Sequence, residues 1–360
     1  MKSPAVVPLV IAITAGVVGT MHAALFWFMP RLTRPDLYFA VTVAHGFRES
    51  AEGRSILRRY RAELVLVTAL ALMAFIAGVF WLGVGFVPAG VFIQVAAAFL
   101  AFYRARRRVL PHSVPPTTIR EAELHSEGRT VPHGRFAASA PFIVLGVCAA
   151  YLWTHGASIR GAGGRRIVWT GPALATVYFL STGGILTALT LIRYGMSHWV
   201  RSVHARGAEH FTELKFRRTS STIILVVEYF ITLQASWICL VPRPVAGAPE
   251  GLVVALFLLA PVLALVAIVV LAHLGQGGVR MNGGKEAGSG EASAPVGDRT
   301  RDSCWKLGIF YFNRDDSAAL VERRFGLGYT LNFARPAAWV IVLLVMLGPL
   351  VPVLASRLRR

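Results

Sequence analysis

Long apolar runs alternate along this chain with short polar segments rich in arginine. A helix rising 1.5 Å per residue needs about 20 residues to cross roughly 30 Å of hydrocarbon. Eight runs meet or approach that length: Val6 to Met29, Leu64 to Phe86, Val87 to Tyr103, Phe136 to Trp153, Pro172 to Ile192, Thr222 to Val241, Leu252 to Leu274 and Ala337 to Leu354. The second and third run together through Gly83, Gly85, Pro88 and Gly90, a stretch that suits a tight hairpin better than one continuous rod. Lys2 followed by the first run resembles a secretory signal. The run is longer than a signal core and has no small-x-small cleavage site, so a retained helix is expected. The pattern predicts an all-α, polytopic transmembrane helical bundle of about eight helices, with a small aromatic-rich cytoplasmic module before the last one.

Composition agrees: 55% of the residues are hydrophobic, 15% are charged, and the mean hydropathy is +0.58, which puts most of the chain in lipid. The 37 Lys and Arg against 18 Asp and Glu would suggest nucleic acid on a soluble protein. Here 29 of the 37 fall in alternate segments, Arg31 to Arg61, Arg104 to Arg135, Arg193 to Arg218 and Arg280 to Arg335, and eight in the others. Cytoplasmic loops collect basic residues in this way, so the expectation is an inner-membrane protein with both termini outside and no nucleic-acid partner. Anionic lipid is the expected partner of these loops. The helix expected from Ser50 to Glu63, which mixes Arg54, Arg58, Arg59 and Arg61 with Ile56, Leu57 and Tyr60, is the clearest case. Cys148 and Cys239 lie in apolar runs and Cys304 stands alone, which gives no disulfide framework.

Residues 1–274 read as the membrane domain. Residues 275–299, rich in Gly, Ala and Ser, read as a flexible linker, residues 300–336 as a juxtamembrane module, and residues 337–354 as the last helix. In the module a short strand from Lys306 to Phe312, a turn at Asn313 to Asp316 and a bend at Gly326 and Gly328 are expected. Its aromatic and basic residues suit a lipid headgroup zone, and a protein partner is the second reading. Trp305, Gly308, Tyr311 and Phe312 before Asn313, Asp316, Val321, the Arg323 to Gly328 stretch, and Asn332, Arg335 and Pro336 resemble the tail module called domain of unknown function 5808. Arg324 belongs to that pattern. The preceding helices are similar to bacterial multi-pass proteins of the domain of unknown function 1648 kind, which include the SdpI toxin-immunity proteins. PRLTRPDLYFAVTV and RRRVLPHSVPPTTIREAEL carry that likeness, whereas HGASIRGAGGRRIVW departs from it. The resemblance implies a bacterial membrane protein acting in immunity, sensing or envelope stress.

An ionisable group within hydrocarbon is costly and marks a candidate site. Glu228, in TIILVVEYFITLQ, is the clearest, and His22 lies at a comparable depth, with Gln94 and Tyr178 as further polar candidates. A cluster of these four implies a proton-coupled or small-solute transporter, the alternative to action by contact. His198, His204 and His210 recur every six residues and point apart on a helix; no metal site is expected there, nor at His112, His125 or His133. No motif of nucleophilic, nucleotide-binding or metal-dependent catalysis appears in a workable setting, so neither an enzyme nor a cofactor is expected.

Overall fold

A computed structural model describes residues 6–34, 36–83, 86–116, 133–155, 157–160, 166–200, 208–240, 250–274, 297–298 and 300–357. The linker from 275 to 296, and His125 and His204, lie outside them. Among the described residues eight long helices follow one another: α1 Val6–Leu32, α2 Ala51–Leu82, α3 Val87–Val109, α4 Arg135–Thr154, α5 Gly171–His198, α6 Ala208–Leu240, α7 Glu250–Leu274 and α8 Pro336–Arg357. Five of them, α2, α3, α4, α5 and α8, are long and apolar enough to cross a membrane. On α2 the side chains of Leu66, Leu70, Met73, Ile76, Phe80 and Trp81 all face outward. A helix so apolar and so little covered by protein belongs in lipid.

α2 is longer than its apolar run, because the Arg-rich Ser50 to Glu63 segment continues into it as one helix. Ser50 caps its start, the hydroxyl accepting from Gly53 N at 3.0 Å. Gly83, at φ 75°, ends it, and Pro88 lies in the first turn of α3, so the two runs form an antiparallel helix pair. α1 packs on α2 and α3; α5 packs on α4, α6 and α8; α7 touches α1 and α6 and links the two groups.

Among the described residues, four antiparallel strand pairs accompany the helices. β1 Leu37–Tyr38 pairs with β2 Val41–Thr42, and β3 Ala157–Arg160 pairs with β4 Arg166–Trp169. β5 Trp305–Lys306 pairs with β6 Phe310–Tyr311, and β7 Leu320–Glu322 pairs with β8 Tyr329–Leu331. The single strand expected from Lys306 to Phe312 is instead a hairpin, turned by Leu307 (φ 53°) and Gly308 (φ 81°). Strands of two residues carry too little alternation for the first hairpin to be read as one. Its turn is made by Phe39 (φ 47°) and Ala40 (φ 61°), both completely buried, a left-handed conformation that glycine normally supplies.

That strain is held by packing. The Phe39 ring meets Tyr60 of α2 at 4.8 Å and Phe102 of α3 at 6.3 Å, and Phe325 of the module lies tilted against Phe102 at 3.9 Å. The Tyr38 hydroxyl donates to Gly53 O at 3.0 Å and that of Tyr60 to Phe26 O at 2.7 Å. One core thus joins α1, α2, α3, the hairpin and the module.

Candidate functional site

The module is assembled around side chains that bond backbone. Asn332 Nδ2 reaches the carbonyls of Asn313 (2.9 Å), Asp316 (3.1 Å) and Ala318 (3.0 Å), while its Oδ1 accepts from Asn313 N and Ala334 N. The Tyr311 hydroxyl donates to Asp316 Oδ2 at 2.8 Å, and Asp316 Oδ1 accepts from Ala318 N. Arg335 donates through Nε to Asp316 O at 2.9 Å and through Nη2 to Arg314 O at 3.1 Å. Gly326 and Gly328, at φ 108° and 94°, make the bend expected of them.

Arg324 sits in that bend with its side chain fully enclosed. It forks onto Asp298 through Nε (2.9 Å) and Nη2 (2.7 Å), pairs with Asp302, bonds the Thr300 hydroxyl at 3.1 Å, reaches Ala40 O at 3.4 Å, and lies over the Trp305 ring. Burial opposes the charge on Asp298, yet Arg324 and Thr300 hold its carboxyl below the usual range. Asp302 also accepts from the Thr42 hydroxyl (2.9 Å) and from Ser113 Oγ (2.6 Å). Arg106, from the basic end of α3, donates to Phe39 O, Ala40 O and Trp305 O. Gly308 must lack a side chain here, since a Cβ would come within 2.9 Å of Arg106 Cδ. The module is therefore fastened to the first hairpin and α3 by buried, charge-assisted bonds, with one guanidinium shared between the two carboxylates.

All ten expected module residues belong to this unit. Asp298, Thr300, Asp302, Arg106 and Ala40 were not foreseen. Gly297 and Asp298, at the end of the stretch read as linker, are buried, and Gly297 N donates to Asp36 Oδ2 at 2.6 Å. The outer edge is left uncovered: Leu307, Phe310 and Phe312 are 46, 43 and 39% exposed. Phe310 meets Phe333 at 5.6 Å and Phe333 meets Trp339, in the first turn of α8, at 5.7 Å, so the edge runs into the outward surface of that helix.

The intramembrane candidates fall in two places. Glu228 of α6, wholly buried, pairs with Arg193 of α5 (Oε2 to Nη2, 3.4 Å) and accepts the Thr190 hydroxyl at 3.1 Å. Tyr178 of α5 shares a hydroxyl bond of 2.8 Å with Ser236 of α6. His22 of α1 lies 3.2 Å from Val18 O of its own helix. Gln94 of α3 presses its amide against Gly19 of α1, where a Cβ would meet Oε1 at 1.4 Å. Glu228 and Tyr178 thus share the α5–α6 contact, and His22 and Gln94 belong to the α1–α3 side. The partner that the structure gives Glu228 is Arg193, which sequence reading assigned to a loop because α5 runs six residues beyond its apolar stretch. A helix carried through Thr190, Arg193 and Met196 would have placed Arg193 one turn from Thr190 on the same face.

Residues 314–339 match the family of unknown function DUF5808. The match takes in Asp316, Arg324, Gly326, Gly328, Asn332 and Arg335 and stops short of Trp305, Gly308, Tyr311 and Asn313. No curated protein and no solved structure matches the chain. With five apolar helices of spanning length and this module, the chain is an integral membrane protein with a C-terminal DUF5808-like segment.

Proposed function

We propose that this is a non-enzymatic protein of the bacterial inner membrane that acts by contact, in immunity, sensing or envelope stress, with the module as its contact face on the cytoplasmic side. The observation that carries this reading is the pairing of a buried, many-bonded attachment with an exposed aromatic edge. Arg324, Arg106 and Asp302 fix the module to the bundle, while Leu307, Phe310 and Phe312 remain exposed beside α8. A surface held in one orientation loses little entropy when a partner meets it, and exposed aromatics supply the contact area. The arginine asymmetry supports the cytoplasmic assignment, with anionic lipid expected against the basic loops.

The test is a deletion strain challenged with envelope toxins and antibiotics, complemented by the wild type or by the Phe310→Ser/Phe312→Ser pair at equal membrane levels. Sensitivity on deletion, rescued by the wild type and not by the pair, supports contact through this edge. Full rescue by the pair rejects it.

A further inference from the structure

From Ser220 onward, buried positions recur along α6 at Ser220 and Ser221, Leu225, Glu228, Thr232 and Ser236, and all of these but Leu225 are polar. Bonds from Glu228 and Ser236 to α5 show which neighbour this stripe faces. Thr182 of α5 is buried as well. From Ser221 to Ser236 the stripe runs about 22 Å; serine and threonine are ordinary in a membrane helix contact, whereas a buried carboxylate and guanidinium are not.

The two halves of this seam differ. Beyond Glu228, away from the module, the groups satisfy one another: Tyr178 with Ser236, and Thr232 with Glu228 O at 2.8 Å. From Glu228 toward the module they do not. Arg193 Nε and Nη1, Glu228 Oε2, Ser220 Oγ and Ser221 Oγ are buried without a hydrogen-bond partner. Two open guanidinium nitrogens beside the Glu228 carboxylate, and two open hydroxyls seven and eight residues back along α6, are groups that bridging water would satisfy, since each orphaned group otherwise carries its full desolvation cost. At the module end of the stripe the exposed Thr222 hydroxyl lies 3.2 Å from His133 Nε2, just ahead of α4. Farther along α6, Arg217 is paired with Glu213.

We propose that the Arg193–Glu228 pair is a hydrated proton-binding site, open to the module side through Ser221, Ser220 and the Thr222–His133 pair and closed on the other side. A proton arriving by water adds to a Glu228 carboxylate oxygen while Arg193 keeps its own, so the pair passes from neutral to singly positive. Thr190 from α5 and Arg193 are the groups that face the carboxylate, and His22 has no part in the site. The same helix carries the response outward. Trp199 O, just past the end of α5, accepts from Ala319 N at 3.1 Å and Leu320 N at 3.2 Å, so α5 is tied to the module. The site is separate from the module's aromatic edge, and its success or failure leaves the contact reading to its own test.

Infrared difference spectroscopy of the full chain in lipid nanodiscs, titrated with acid, tests the site. The expected result is a carbonyl band of a protonated carboxylic acid that disappears in Glu228→Gln, moves in Glu228→Asp, and shifts in heavy water. Replacing Ser220 and Ser221 together by alanine slows that shift by about tenfold. A spectrum with no such band at any pH, a band that persists in Glu228→Gln, or exchange indifferent to the two serines would overturn the proposal.

Discussion

Arg324 and Ala40 are 284 residues apart in the chain and are joined in the fold by a bond from Nη1 to the Ala40 carbonyl, at 3.4 Å. That carbonyl also accepts from Arg106, so one backbone oxygen in a left-handed turn is the meeting point of α3, the first hairpin and the module. Two cations stabilise a turn that the residues at its centre disfavour.

Replacing Arg324 by leucine leaves Asp298 and Asp302 with uncompensated charge in a closed site. A loss of about 3 to 5 kcal/mol is expected for breaking such a pair from one side. Lysine rescues little, since a single ammonium cannot fork onto Asp298 while also reaching Asp302 and Ala40. Thermal denaturation in detergent, combined with limited proteolysis between residues 300 and 335, reads both effects.

Ala40→Gly removes a Cβ from a residue at φ 61° and is expected to raise the melting temperature or leave it level, the relief being about 1 kcal/mol before the entropy of the added glycine is counted. Ala40→Val is expected to lower it clearly, because a β-branched residue resists this conformation and Gly308, with Arg106 beside it, leaves no room.

Asn332→Leu removes the two amide N–H donors that the carbonyls of Asn313, Asp316 and Ala318 share, with a cost of about 2 to 4 kcal/mol. Hydrogen exchange of the amides of Asn313 and Ala334, both bonded to Asn332 Oδ1, should accelerate in the variant.

The pH dependence of the module follows from two carboxyls of opposite tendency. Burial raises the Glu322 carboxyl to about 7; Arg34 and Arg217 oppose the rise, and Glu213 and Asp298 add to it. The folded module therefore holds a proton that the unfolded chain has released, and stability falls as pH rises from about 4.5 to about 7. Asp298 acts in the other direction: its contribution is present above its usual value of 3.8 and is lost as pH falls through its lowered folded value. Melting temperature against pH should decline across the upper window, and Glu322→Gln should flatten that decline while leaving the acid loss in place.

The helices were legible because hydrocarbon imposes long, nearly uninterrupted apolar runs, and the Gly83 to Gly90 break marked the turn between α2 and α3. The Ser50 to Glu63 segment was legible as a helix but not as one continuous with the apolar run after it, and nothing in composition says that Arg193 to His198 continues α5 rather than leaving it. The module residues stood out as a dense group of aromatics, glycines and asparagine with no apolar periodicity to account for them. Arg324 was visible there, but Asp298 and Asp302 follow a featureless linker, and Arg106 is one of several basic residues at the end of α3 that topology alone explains. Long-range ion pairs leave no local pattern. The same reason hid Arg193 behind Glu228, whose own placement in an apolar run was enough to mark it.

The claim on which the account rests is that the module is held in a single orientation against the bundle. Spin labels at Leu307 on the module and at Glu52 near the start of α2, in a chain freed of its three cysteines, give the distance between the two bodies by pulsed electron resonance. A single narrow distribution that broadens on Arg324→Leu is the predicted result. A distribution already broad in the otherwise native chain would contradict it.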